Sequence, residues 1–383
     1  MLPAVREAWV AQSAQVGNPS SLHTSGRRAR RVVEESRESI AAHLGVRPSA
    51  VVFTSGGTEA DNLAVKGLFW SRRRAVGAGR VLASAIEHHA VLDPVMWLEE
   101  EQDATVAWLP VDAVGRVDLD AVAAGLVEPD AVALCTVMWA NNEIGTVQPV
   151  REIAAMCREV GVPFHTDAVQ ALGYLPVDLG AVGADAVTIS SHKIGGPFGV
   201  GALIVDPRLG LTPVLHGGGQ EREVRSGTLD APSIAAFAVA VEQAVSGQAD
   251  RMRRLVELRD RLVRGVLGAV PEAILNGDPG AGADERLPGN AHLSFPGCEG
   301  DLLLMLMDAA GVDCSTGSAC TAGIPEPSHV LIAMGVDESL SRSSLRFSLG
   351  EGSTQADVDA VLAALPGAVE RARRAGSLSS RAG

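Results

Sequence analysis

Seven short apolar runs rich in β-branched residues alternate with stretches of helical periodicity, and that alternation leaves few folds open. The runs are VVFTS (51–55), RVLASAI (80–86), TVAWLPV (105–111), AVALCTVMW (131–139), VPFHTDA (162–168), AVTISS (186–191) and GALIVD (201–206). Several are apolar at both parities, as strands covered on both faces are. Helical patterns such as TEADNLAVKGLFW and REIAAMCREVG separate them. This βαβ rhythm predicts an α/β fold with a doubly wound, mostly parallel seven-stranded sheet. From about 235 to 268 the pattern turns helical, and shorter elements follow, among them NAHLSF, GDLLLMLMDAAG and SLRFSLG. The expected division is a large α/β domain over 10–245 and a smaller α+β domain over 246–383 that also takes in residues 1–9. The tail GSLSSRAG is expected to fray.

Bulk properties exclude several classes. The chain has 383 residues, 46% of them hydrophobic and 20% charged, which suits a soluble globular protein. Its formal net charge of -14 disfavours a broad nucleic-acid footprint. No apolar run approaches the roughly 20 residues of a membrane span. Met1 leads straight into a helix-like segment, so no signal peptide is expected. The cysteines, Cys135, Cys157, Cys298, Cys314 and Cys320, are odd in number and contain no CxxC pair. That points to a reducing cytoplasm and away from a disulfide framework or a structural zinc site.

Of 32 basic residues only Lys66 and Lys193 are lysine. Arginine stays protonated, whereas a lysine can lose its proton and form a Schiff base. Lys193 follows an apolar strand and precedes a glycine run, in SSHKIGGP. FTSGGTEADN also follows a strand and opens a helix. Gly56 and Gly57 permit close backbone approach there, and Thr58 stands at the helix start, a place suited to an anion. An ordinary glycine turn with a threonine cap reads the same way locally. The run matches neither GxGxxG nor GxxxxGK[ST]. A second glycine run, HGGGQEREVRSGT (216–228), serves either an anion site or a flexible loop. Asp167, in HTDAVQ, is placed at the C-terminal end of a parallel strand, where ligands bind in open α/β sheets. A helix cap is the plainer role. His88, in IEHHAV, is read at another strand end. A phosphate cradle, an acid for a ring nitrogen and a Schiff-base lysine are together what a pyridoxal phosphate site needs.

With these motifs assembled, the chain resembles the cysteine desulfurases of the NifS/IscS type, within the aspartate-aminotransferase-like (fold type I) pyridoxal phosphate enzymes. The resemblance runs from GNPSSLH (17–23) nearly to the C-terminus. It rests on FTSGGTEADNLAVKG, EHHAVLD, NNEIGTVQP, HTDAVQALG, SSHKIGGPFGVGAL, HGGGQEREVRSGT, STGSACTAG and SLRFSLG, in that order. Family members usually carry a short strand reading like LDNAATTP ahead of the segment matching Pro3–Trp9. Here the chain starts at MLPAVREAW, and cofactor binding is expected to survive without that strand.

The resemblance implies roles residue by residue. Lys193 corresponds to the Schiff-base lysine that also shuttles protons, and Asp167 to the partner of the ring nitrogen. Gln170 and Asn142 would bond the cofactor near its phenolate edge, and Asn142 would also border the substrate. His88 would stack on the ring and move a proton. Gly57, Thr58, Ser190 and His192 would hold the phosphate. Thr228 would reach the phosphate of a neighbouring subunit, which implies a homodimer. Arg346 would grip the substrate carboxylate with its planar fork. Cys320 corresponds to the catalytic cysteine, although on residue pattern alone Cys314 is as good a candidate. The implied activity takes sulfur from L-cysteine, leaves L-alanine, and passes a Cys320 persulfide to an iron–sulfur scaffold or a tRNA-thiolating enzyme. No resident metal is implied, Cys320 at most sharing an iron–sulfur ligand role during transfer. Selenocysteine lyase, or another pyridoxal phosphate C–S lyase, is the alternative.

Overall fold

The computed structural model describes residues 1–280, 285–317 and 327–379, with the backbone alone for 377–379. The chain forms two compact units. The first comprises Met1–Leu109, Asp118–Trp139 and Pro149–Gln248; the second comprises Pro110–Val117, Ala140–Gln148 and Ala249–Gly383.

All seven apolar runs become strands of one sheet in the first unit: β1 (Val51–Thr54), β2 (Arg80–Ser84), β3 (Thr105–Leu109), β4 (Val132–Thr136), β5 (Phe164–Asp167), β6 (Ala186–Ser190) and β7 (Gly201–Val205). Their order is β1-β7-β6-β5-β4-β2-β3. Only β7 runs against its neighbours. Every residue of β1, β4, β5, β6 and β7 is buried, because helices cover both faces. This is why these runs lack polar alternation. The edge strand β3 keeps partly exposed positions. Helix Gly57–Val76 buries Leu63, Ala64, Leu68 and Phe69 against Val52, Val81 and Leu203. Truncating a side chain such as Leu68 to alanine costs about 2–5 kcal/mol. Because β1, β2, β4, β5 and β6 point the same way, the turns that follow them gather along one edge of the sheet.

Two boundaries differ from expectation. Residues 1–9 belong to the first unit, not the second. Helix Pro3–Ser13 packs on helix Ala231–Ser246, Trp9 Nε1 donates to Ser233 Oγ at 3.3 Å, and Leu2 N–H bonds the Gly195 carbonyl at 2.8 Å. Conversely, 110–117 and 140–148 leave the stretch 10–245 for the second unit, and the last break falls after Gln248. The helical stretch at 235–268 is two helices, Ala231–Ser246 and Gln248–Ala269, because Gly247 ends the first.

The second unit holds the antiparallel sheet β10-β9-β8, with β8 (Ile274–Leu275), β9 (Asn290–Ser294) and β10 (Ser344–Ser348). Helices Gly300–Asp308 and Gln355–Ser379 pack with it around Leu293, Phe295, Leu303, Leu345 and Leu365. The last helix continues through Ser379, into the tail where fraying is expected, and residues 380–383 of that tail lie outside the described residues. Among the described residues no helix is long and apolar enough to cross a membrane.

Candidate active site

The edge of the large sheet brings the glycine turn, Asp167 and Lys193 together. After β1, Gly56 takes φ +155° and Gly57 opens a 20-residue helix whose N-terminus has no side-chain cap. Its first N–H groups are therefore offered to an anion, with the helix dipole in support. A Cβ on Gly57 would stand 3.0 Å from Val169 Cγ2 and 3.6 Å from Ser190 Cβ, so only glycine keeps this cradle open without displacing its neighbours. Ser190 ends β6, and its Oγ lies 2.9 Å from His192 Nδ1. Thr58 and His192 are exposed, as is Lys193 on the 3-10 turn Ser191–Ile194.

Asp167 is the last residue of β5 and is 6% exposed. Its Oδ1 accepts the Val169 N–H at 2.8 Å, which fixes the carboxylate. Burial lifts its pKa from 3.8 to about 6, against the pull of that N–H and of the Lys193 charge. A buried acid in this position fits a protonated ring nitrogen, whose charge would favour the carboxylate. Gln170, half-buried, follows in the same turn. His88 lies four residues beyond the end of β2 rather than at it. Its Nδ1 accepts the Ala90 N–H at 3.1 Å as the cap of helix His89–Glu101, and the ring is exposed. Cradle, acid and lysine together fit pyridoxal phosphate.

Beneath Asp167 lies a buried polar layer that pattern reading missed. His165 Nδ1 is 2.9 Å from Thr136 Oγ1, its Nε2 is 3.1 Å from Thr188 Oγ1, and Asp61 Oδ1 is 3.5 Å from Nε2. Burial pushes the His165 pKa down to about 3, so the ring is neutral. Burial, with the Asp167 charge behind it, holds Asp61 well above the usual carboxylate range. Burial likewise lifts Glu87 to about 8, while its Oε1 accepts the Met138 N–H at 2.7 Å. Asp61 and Glu87 stand inside FTSGGTEADN and EHHAVLD, but nothing in those motifs shows that they point inward.

A consequence follows for the protein without cofactor. With its folded pKa raised, Asp167 stabilises the fold fully below about pH 3.8 and loses that contribution as pH rises through about 6. At roughly 1.4 kcal/mol per unit, the loss is about 3 kcal/mol. Melting temperatures measured from pH 4 to 8 should therefore fall less in Asp167→Asn than in the parent chain.

The glycine run 216–228 is a pinned loop. Arg225 Nε and Nη2 meet Glu59 Oε1 and Oε2 at 2.7 and 3.1 Å, and Glu59 Oε2 also accepts the Ser55 N–H at 2.8 Å. Glu221 takes both Arg37 amino groups and the Phe53 N–H. Thr228, at the loop's end, is exposed.

In the second unit, Asn142 is half-buried, and its carbonyl accepts Arg346 Nη1 at 3.1 Å. Arg346, on β10, has its Nε buried without a partner among the described residues, which leaves a donor for an anion. Burial lowers its pKa, with Glu143 opposing. Cys320 lies outside the described residues. Cys314 is half-buried, and burial, with Asp313 and Asp308 adding, pushes its thiol up to about 11. Cys135, Cys157, Cys298 and Cys314 are all free thiols.

These features define a fold-type-I α/β enzyme, and comparison with known proteins narrows it. The aminotransferase class-V family matches residues 2–361. The IscS-like cysteine desulfurase of Mycobacterium tuberculosis (strain ATCC 25618 / H37Rv) is 56% identical over 378 residues, 98% of this chain and 95% of that protein. The solved NifS-like protein from Rickettsia africae ESF-5 superposes with a TM-score of 0.85 at 30% identity, over 97% of this chain and 96% of its own. SspA, solved in complex with cysteine, gives 0.78 at 33% identity over 91% and 95%. The chain belongs to the aminotransferase class-V family, among its NifS/IscS-type cysteine desulfurases.

Proposed function

We propose that this chain is a pyridoxal-phosphate-dependent cysteine desulfurase that moves sulfur from L-cysteine onto Cys320 and releases L-alanine. The observation that carries the reading is one sheet edge holding an uncapped glycine helix start, a buried strand-end Asp167 and the only lysine besides Lys66. When bound, pyridoxal phosphate supplies an electron sink for the pair left on the substrate Cα. Lys193 would tether the cofactor and hold or move a proton at the substrate Cα. Asp167 keeps the ring nitrogen protonated. The Gly57 and Thr58 N–H groups, with Ser190 and His192, hold the phosphate. His88 would cover the ring and pass a proton, while Gln170 and Asn142 would bond its phenolate side. Arg346 takes the substrate carboxylate, for which its unpartnered Nε and planar fork are suited.

The Cys320 thiolate then attacks the substrate sulfur. A sulfur–sulfur bond forms, the Cβ–Sγ bond breaks, and the electron pair left on Cβ takes a proton to give alanine. The raised Cys314 thiol favours Cys320 as the nucleophile, since the thiolate is the reactive form. Thr228, exposed at the end of its pinned loop, would reach the phosphate of a second copy. Phe198 (84% exposed, stacked on His192) and Leu22 (83% exposed) are large exposed apolar side chains of the kind a homodimer would cover. The free thiols support a reducing cytoplasm. The sulfur acceptor would be an iron–sulfur scaffold or a tRNA-thiolating enzyme.

Product analysis tests this. With pyridoxal phosphate, L-cysteine and a thiol reductant, equal amounts of alanine and sulfide are expected. Pyruvate and ammonia in place of alanine would make the chain a β-eliminating lyase. A large preference for selenocysteine would make it a selenocysteine lyase. Asp167→Asn should slow alanine formation by about 10- to 100-fold, the equivalent of one charge-assisted hydrogen bond of roughly 1.5–3 kcal/mol.

A further inference from the structure

The segment that carries Cys320 is flanked in the second unit by two described stems, Ser315 to Gly317 and residues 327–328. Both stems meet one buried pair, Glu143 and His292, neither of them used by the chemistry above. On the C-terminal stem, Ser328 Oγ donates to Glu143 Oε2 at 2.5 Å. The same hydroxyl accepts the Leu331 N–H, capping helix His329–Ala333. On the N-terminal stem, Ser315 exchanges two backbone hydrogen bonds with Arg346. Gly317 takes φ +85°, and a Cβ there would stand 2.6 Å from His292 Nε2 and 3.4 Å from Glu143 Oε2.

The pair is rigidly held. The Glu143 N–H bonds Asn141 Oδ1 at 2.9 Å, and its carbonyl accepts Asn290 Nδ2 at 2.9 Å. Glu143 is 4% exposed and His292 fully buried. Asn276 Nδ2 donates to His292 Nδ1 at 3.0 Å, so the neutral ring carries its proton on Nε2. That N–H has no partner among the described residues, although it faces the Gly317 stem beside a carboxylate. A buried, unmatched donor costs stability that an apolar side chain would not. Packing alone therefore gives no reason for His292 here.

We propose that Glu143 is a positioning residue for sulfur transfer. Its carboxylate anchors the C-terminal stem of the Cys320 segment through the Ser328 hydrogen bond, beside the His292 ring on which Gly317 of the N-terminal stem closely packs. The proposal rests on Cys320 being the sulfur acceptor. Its physical basis is proximity: a nucleophile misplaced by about 1 Å can lose 10²-fold in rate. A tie made by an acceptor oxygen should survive an amide in place of the carboxylate.

The test separates sulfur transfer from earlier proton transfer in the holoenzyme. Persulfide on Cys320 is followed by mass spectrometry in a single turnover at saturating L-cysteine. Saturation removes any change in substrate binding from losing the charge near Arg346. Exchange of the L-alanine Cα hydrogen for deuterium reports the proton step alone. Glu143→Ala and Ser328→Ala should each slow persulfide formation at least tenfold and leave Cα exchange within twofold. The double variant should be no slower than either single one, and Glu143→Gln should recover to within threefold of the parent. Persulfide formation within twofold of the parent in Glu143→Ala, equal losses in both steps, or additive losses in the double variant would each overturn the proposal. If the parent chain builds no persulfide on Cys320, the reading of that residue fails instead. The tie is then judged in cofactor-free protein, by whether Glu143→Ala speeds backbone hydrogen exchange at residues 315–317 and 329–333. Unchanged exchange there would overturn it.

Discussion

Lys193→Ala should abolish desulfuration and remove the visible absorbance that marks covalently held pyridoxal phosphate. Lys66 cannot take over. It lies in helix Gly57–Val76 with its Nζ 4.3 Å from the centroid of the Trp97 ring, a cation–π contact on the helical layer. Two functions go with the one amine: the covalent tether and the acid–base group at Cα. Proton transfer by a positioned side chain is worth about 10²–10⁴-fold, and the loss here should reach at least the upper end. Absorbance spectra of the parent and variant, each incubated with cofactor and then desalted, make the check. An unchanged spectrum would remove Lys193 from the site and take the functional reading with it. Non-covalent cofactor should still be retained, since the Gly57 cradle and Asp167 are untouched.

The second large effect concerns the nucleophile. Cys320→Ser should keep the parent absorbance, yet form no protein persulfide and release alanine only at background rate. Cys314→Ser should form persulfide at close to the parent rate. The contrast follows from thiolate supply. A thiol pushed up to about 11 is ionised at roughly the 10⁻³ level at pH 8, against about a quarter for an ordinary thiol near 8.5. Peptide mass spectrometry after a pulse of L-cysteine reads both variants. Persulfide that disappears in Cys314→Ser and persists in Cys320→Ser would reverse the assignment. Loss in both would indicate a relay between the two thiols.

Much of the large sheet is legible in the sequence because a strand buried on both faces must be apolar at both parities, and few other elements are so short and so apolar. The same reasoning places Asp167 at the end of β5 and Lys193 in the turn that follows β6, since a charged residue at the close of such a run marks a strand end. His88 lies four residues past the end of β2 rather than at it, because the apolar run continues through Ile86 while the strand stops at Ser84. The start of the chain belongs to the first unit, against expectation, for a related reason. Helix Pro3–Ser13 is amphipathic toward a surface formed more than 200 residues later, and no local pattern names that partner.

Residue type and order by themselves determined the βαβ class, the seven strands, the rarity of lysine and the motif series that marks the family. Those are local or statistical properties, present in the unfolded chain as much as in the folded one. Only the tertiary structure decided which polar residues turn inward. Asp61, Glu87 and His165 become a buried layer beneath Asp167 because three strands and a helix exclude water there, which raises the pKa of both carboxyls and lowers that of the ring. The Glu143–Ser328 bond likewise joins residues 185 apart. Burial and long-range contact are properties of the packed chain, and hydrogen bonds and pKa values follow from them.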